Sequence, residues 1–274
     1  MTERTNTKNR SKFWQILLLA ALLALPSIRG AAQNLVVDGS FETPYVTNAT
    51  RSEFFDPTNL SPWQTTATTF EIWTNGWENP AAGVGRTISA DGVQNLEIIS
   101  MGSTNVTIWQ TVPTVTGERY RFSFYFSPRP NSSSDLLTVS INSNSVLSQI
   151  ENGLGLSDFN WQLFTTNFVA ASNLTTLAFS DQSLNNGGSG SHIDGVVLEH
   201  IPWLTIQTSD GGGLTVSWLG VSNETYQLQF RSNLTAGSWS NLNSPFVGKN
   251  AAIVVPVTPA ANAPIGFYQV VVLP

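Results

Sequence analysis

The sequence predicts an all-β protein, an antiparallel jelly-roll β-sandwich followed by a small β-sandwich. Three observations lead there. Short runs rich in β-branched and aromatic residues recur along the chain, separated by Gly, Pro, Asn and Ser. The run 120–127 alternates, with Tyr120, Phe122, Phe124 and Phe126 on one side and Arg121, Ser123 and Tyr125 on the other. That is the period of a strand with one face buried. No amphipathic helical stretch of useful length interrupts the pattern.

Residues 1–32 read as a secretory signal peptide. Arg4, Lys8, Arg10 and Lys12 precede an apolar run at 13–25, Pro26 breaks it, and Gly30-Ala31-Ala32 supplies small residues for cleavage after Ala32. The run is short for a membrane span, and no later stretch is long and apolar enough for one. The expected location is therefore secreted or on the cell surface, in a bacterial setting. Removing 1–32 takes away five of the 12 basic residues (Arg29 is the fifth) and one of the 18 acids, Glu3. Seven basic and 17 acidic residues remain, a formal net charge of −10. With no basic cluster, a nucleic-acid partner is disfavoured. There is no cysteine, so stability must come from core burial and a bound ion rather than from disulfides.

The mature chain divides at Ile201-Pro202 into a larger domain, 33–200, and a smaller one, 201–274. Strands are expected in the first at 70–74, 95–100, 106–112, 120–127, 136–142, 161–169 and 174–180. In the second they are expected at 214–219, 225–230 and 266–273, with Trp218, Tyr226 and Trp239 as core. About 70 residues suffice for a small domain to fold alone.

The larger domain is expected to open and close on one seam. Val36-Val37 reads as a short strand before the Asp38-Gly39 turn, with Phe41 capping the core and Glu42 at the rim. Ile193-Asp194-Gly195-Val196-Val197-Leu198 reads as the closing strand. Adjacent first and last strands would bring Glu42 and Asp194 together, and carboxylates with turn carbonyls suit calcium. The alternative is that Glu42 is a turn residue and Asp194 a solvated strand end. The run 181–191 (DQSLNNGGSGS) reads as a flexible loop.

Strand parity also places Glu71 and Trp73 opposite Phe70 and Ile72, and Glu97 opposite Leu96 and Ile98. A shared sheet would then expose Glu71, Trp73, Glu97, Arg121 and Tyr125 on its outer face, with Trp77 and Arg129 added from flanking loops. Aromatic rings can stack on the C–H faces of sugars while carboxylates and guanidinium groups take the hydroxyls. These seven residues are the candidate carbohydrate-binding set. Of the nine tryptophans, Trp63, Trp109, Trp161 and Trp218 read as packing.

NLVVDGSFE, Trp63, FEIW, ADGVQNLEI, IWQTVPTVTGERYRFSFYFSPRPN, Trp161 and GSHIDGVVLE follow one another in an order that resembles a family of secreted domains. These are the galactose-binding-like jelly rolls labelled choice-of-anchor C, related to plant cell-wall proteins of a domain of unknown function. The likeness covers residues 34–199. It implies a carbohydrate-binding module and a structural calcium held by Glu42 and Asp194, with Asp38 a weaker third ligand. One departure is that Ile-Asp-Asp-Val often closes this motif, whereas Gly195 stands here in place of the second acid. The C-terminal string LTVSW…YQLQFRSNLTAGSWSNL…GFYQVVV is similar to fibronectin type III-like appendages.

Nothing in the sequence points to catalysis. Glu71 and Glu97 could form a glycosidase pair in principle, but neither lies in a catalytic motif, and His192 and His200 read as packing or solvent-facing. No nucleophile elbow, zinc helix or phosphate-cradling loop is present. The expected protein is a secreted, non-catalytic binder of wall or matrix polysaccharide or another glycan. The alternatives are an adhesive surface protein that binds another protein, and a weak polysaccharide hydrolase.

Overall fold

The computed structural model describes residues 33–99, 104–184, 189–208, 213–258 and 266–273. The expected signal peptide lies outside them. No helix among the described residues is long and apolar enough to cross a membrane.

Among the described residues, seventeen strands form four antiparallel sheets. The larger domain stacks two of them. The first holds β1 (Ser52–Phe55), β3 (Phe70–Thr74), β4 (Gln94–Glu97), β11 (His192–Ile201), β6 (Arg119–Ser127) and β9 (Gln162–Val169), in that spatial order. The second runs β2 (Gln64–Thr65), β5 (Asn105–Pro113), β10 (Leu174–Ser183), β7 (Asp135–Ile141) and β8 (Asn144–Glu151). Alternate residues of both sheets point inward, and their burial is the main stabilising term. Phe122, Phe124 and Phe179 meet at the centre, with Phe179 edge-on to Phe124 at 5.0 Å.

The smaller domain pairs β12 (Thr205–Thr208), β13 (Leu214–Gly220) and β16 (Ala251–Val257) against β15 (Ser240–Val247), β14 (Thr225–Arg231) and β17 (Phe267–Leu273). It has its own core around Val216, Trp218, Tyr226 and Leu228. Trp239 is only half-buried, with Arg231 over its ring, and so is not core as expected. Trp109 is likewise half-buried on the outward side of β5.

Strand positions follow the alternation pattern where it is strong. The expected 70–74 strand is β3, and 120–127 falls within β6. Two expectations change. Residues 181–183 continue β10 rather than starting the loop; 185–188 lie outside the described residues. Val36-Val37 is not a strand, because 36–40 turn tightly, with Asp38 at φ 50° and Phe41 at φ 54°.

The opening segment still docks on the closing strand. Leu35 N–H donates to Leu198 O, and Val196 N–H to Gly39 O. The Asn34 carboxamide donates to Val196 O and accepts from Leu198 N–H, each at 2.9 Å. A side-chain amide thus stands in for a strand backbone where β11 bulges between Asp194 and Val197.

Candidate functional site

The site grows from one row of paired residues. Glu71 on β3 lies opposite Glu97 on β4, Glu97 opposite His192 on β11, and His192 opposite Ser127 on β6. Opposed residues share a face, so four polar side chains line up across four strands. Pro128-Arg129-Pro130 leaves β6 at this level and turns Arg129 back over the row. Its Nη1 donates to both oxygens of Glu97, at 2.9 and 3.1 Å. The guanidinium carbon lies 4.8 Å from the Trp73 ring and 5.9 Å from Trp77. Trp73 and Trp77 stack at 4.0 Å with a 30° tilt. The Trp77 loop is pinned at Gly76, whose φ of 86° suits glycine. Thr87 N–H donates to Trp77 O and Gly76 N–H to Thr87 O.

Much of the expected binding face is therefore buried. Glu71, Trp73 and Glu97 are 6%, 1% and 1% exposed. Parity set their direction correctly, but Trp77, Arg129 and the loop residue Phe159 cover them. Trp73 Nε1–H donates to Glu71 Oε1 at 2.9 Å, and Gly190 N–H to Glu97 Oε1 at 2.8 Å. Burial pushes Glu97 up to about 8; Arg129 opposes this and the Glu71 charge adds to it. Burial also raises Glu71. The two carboxyls hydrogen-bond one another, so the pair holds a proton near neutrality.

His192 is buried and neutral, its basicity lowered first by desolvation and then by Arg129. Its Nδ1 lies 2.7 Å from Asn95 Oδ1, where it acts as donor. The ring packs 4.6 Å from Trp73 and 4.7 Å from Phe159. Its Nε2 lies 3.8 Å from Glu97, too far for a hydrogen bond.

The accessible part is an aromatic strip. Trp77 and Arg129 are half-buried at one end, and Phe159 and Trp161 continue it, their rings 4.8 Å apart. Trp161 Nε1–H donates to Ile88 O at 2.8 Å, fixing its ring against the neighbouring loop. Leu163 and Ile88 are exposed at its end. Phe159, Trp161 and His192 belong to the site without having been expected there. The aromatic pair of Phe159-Asn160-Trp161 just ahead of a strand was the available signal.

Two expected residues lie elsewhere. Arg121 faces Glu199 across the β6–β11 pair and forms an ion pair with it. It is six residues along β6 from Ser127, about 20 Å at strand rise. Tyr125 lies opposite Asp194, its ring close to Gly195, at the edge of the strip rather than within it.

Two of the expected metal residues, Asp194 and Glu42, converge on one loop from two sides. Asp194 Oδ2 accepts Asp91 N–H at 2.7 Å and its Oδ1 accepts Gly195 N–H. Glu42 Oε1 accepts Val93 N–H at 2.7 Å and Gln94 N–H at 2.9 Å. Asp38 Oδ1 accepts Glu42 N–H. Calcium needs six to eight oxygen ligands. Here Asp194 accepts amide hydrogens on both oxygens and Glu42 two on one oxygen, and no group of three or more acidic, His or Cys side chains among the described residues is placed to hold a metal. As placed, the set does not fit calcium; the carboxylates clamp the loop themselves. We expect chelator to leave the melting temperature of residues 33–274 unchanged, and Asp194→Ala to lower it equally with and without calcium. A transition that chelator lowers, in a way Asp194→Ala abolishes, would restore the ion.

Fold and site together define an all-β protein whose larger domain is a jelly-roll sandwich with an aromatic surface strip. Residues 34–199 match the family described as protein of unknown function (DUF642), and the chain belongs to that family. Comparison with curated proteins gives no match. Solved structures similar to it include the carbohydrate-binding module TmCBM61 in complex with beta-1,4-galactotriose. That pair shares 16% identity over 62% of this chain and 99% of that one, with a TM-score of 0.39. A family 35 carbohydrate-binding module from Clostridium thermocellum matches at 9% identity over 54% and 96%, TM-score 0.33. A CBM35 from Paenibacillus barcinonensis matches at 15% identity over 54% and 96%, TM-score 0.31.

Proposed function

We propose that the larger domain is the non-catalytic carbohydrate-binding part of an exported protein and takes polysaccharide along the strip of Trp77, Arg129, Phe159 and Trp161. The observation that carries this reading is the strip itself, half-exposed rings locked from below by Trp73, His192 and the Arg129–Glu97 pair. Rings held in place lose little freedom when a sugar stacks on them. Arg129, tied to Glu97 by one nitrogen, has further N–H groups to offer hydroxyls. Glu71, Trp73 and Glu97 then support the surface rather than touch the ligand.

Trp77→Ala and Trp161→Ala are each expected to weaken binding to the recognised glycan by about tenfold or more, the worth of one buried ring. A cell-wall polysaccharide array identifies that glycan, and calorimetry measures the loss. Unchanged affinity in both variants would remove the strip from the function. Silence on the array with a reproducible protein ligand would favour the adhesive alternative.

The raised pKa of Glu97 is the one feature that favours a hydrolase, since a general acid must hold its proton near neutral pH. Its side chain is fully covered, however, and it hydrogen-bonds Glu71, whereas a glycosidase pair must flank the sugar. Sugar release from a polysaccharide that disappears in Glu97→Gln would establish that activity.

A further inference from the structure

The two domains meet at His200, near the end of β11. Its side chain is fully buried, and both ring nitrogens face carboxylates. Nδ1 lies 2.8 Å from Glu224 Oε2, and Nε2 lies 3.1 Å from Glu118 Oε2. Glu118 immediately precedes β6 of the jelly roll, and Glu224 immediately precedes β14 of the small sandwich. Tyr226 on β14 donates its O–H to the same Glu224 oxygen and accepts Val221 N–H at 2.8 Å. Its oxygen lies 3.5 Å from His200 Nδ1. From β6, the Tyr120 ring packs 5.4 Å away.

A neutral imidazole carries one N–H and one lone pair. It can therefore satisfy only one of two flanking carboxylates and presents electrons to the other. An imidazolium donates to both. We propose that His200 is a proton-operated latch between the two domains: its imidazolium holds Glu118 and Glu224 together and docks the small sandwich on the jelly roll, and loss of that proton releases the dock. A second contact limits how far release goes. The Arg119 guanidinium carbon lies 3.2 Å over the ring of Trp203, in the connecting segment, so the small domain swings about this point. A cavity of about 470 Å³, walled by Glu118, Arg119 and Trp203 on one side and by Ser217 and Trp218 on the other, brings solvent beside the latch.

The electrostatics support this reading. Burial alone lowers the basicity of His200, but the hydrogen bonds and charges of Glu224 and then Glu118 outweigh it and leave the pKa raised above 6.5. Burial and Glu224 both push the Tyr226 phenol up, so it stays a donor throughout. A raised pKa means that the docking contribution is complete below about pH 6.5 and is lost as pH rises through the docked value.

The chain has no cysteine, so a pair of spin labels at Ser145→Cys and Ser244→Cys, one exposed site per domain, reports the interdomain distance. At pH 6 the mature protein should give one narrow distance. Toward pH 9 the distribution should broaden with far-UV circular dichroism unchanged. His200→Gln should remove the pH dependence, and Glu118→Gln should shift the midpoint to lower pH. If His200→Gln does not fold, Glu118→Gln and the unmutated protein carry the test. A distribution constant from pH 6 to 9, the same broadening in His200→Gln, or broadening that tracks loss of circular dichroism would each overturn the latch.

Discussion

Raising the pH from 5 to 9 is expected to lower the melting temperature of the protein made as residues 33–274 by roughly 6–12 °C. Burial raises several carboxyls of the larger domain, four of them strongly: Glu97 and Asp194 to about 8, Glu151 to about 7 and Asp181 to about 6, against ordinary values of 3.8 for Asp and 4.5 for Glu. For an acid whose folded pKa is raised, the native state holds a proton that the unfolded chain releases. Its contribution is complete below about pH 4 and is lost as pH climbs through the folded values, here from about 6 to 8. Glu151 Oε2 and Asp181 Oδ1 are buried without a hydrogen-bond partner, so their ionised forms are poorly served. A combined loss of about 3 kcal/mol is modest for four such groups, and at ~2–4 °C per kcal/mol it gives the stated shift. Scanning calorimetry between pH 5 and 9 measures it. Asp181→Asn and Glu151→Gln should each flatten part of the curve and stabilise the protein at pH 8. A melting temperature that holds or rises with pH would show that these carboxyls ionise freely in the fold.

Gly39→Ala should be among the most damaging small substitutions in the larger domain, costing about 3 kcal/mol or more. A Cβ at this position would sit 2.0 Å from the carbonyl oxygen of Val196 and 3.0 Å from its carbon. Both are backbone atoms and have no rotamer to change. Relieving the clash pulls the opening turn off β11, breaking the Val196–Gly39 bond and the two Asn34 bonds beside it. Denaturant unfolding at pH 6 gives the loss directly. Gly117→Ala is the control, because nothing lies within 4 Å of a Cβ there. Its φ of 87° makes a smaller strain cost the whole of its effect. A loss at Gly39→Ala no larger than at Gly117→Ala would show that the opening turn relieves its clash with β11 at little cost.

The fold was legible where side-chain chemistry alternates strongly. β6 needed nothing beyond its four inward aromatics, and β3 could be placed to the residue. β8, β15 and β16 carried weaker signals. β8 begins after Asn142 and Ser143, both at positive φ, in a hairpin turn that usually shows itself through a glycine absent here. Pro245 obscures β15, which is tolerated because that strand lies on a sheet edge.

For the site, parity gave direction but not depth. Glu71 and Glu97 do face away from the core, yet loops of no regular structure fold over them, and the period of a strand holds no information about a loop. The same limit hid Phe159 and Trp161. At the seam, Glu42 and Asp194, expected to share a cation, accept N–H groups from one loop. Carboxylates at this spacing suit either partner, so sequence could not separate the two.

The strap formed by residues 34–41 also bears on how the larger domain can be combined with others. Because the chain enters beside the strand by which it leaves, the two ends of the jelly roll emerge close together. A unit built this way can be spliced into a surface loop of an unrelated host without stretching the host's backbone, or cut and re-joined at another loop with a short bridge across the old ends. Its aromatic strip would travel with it intact.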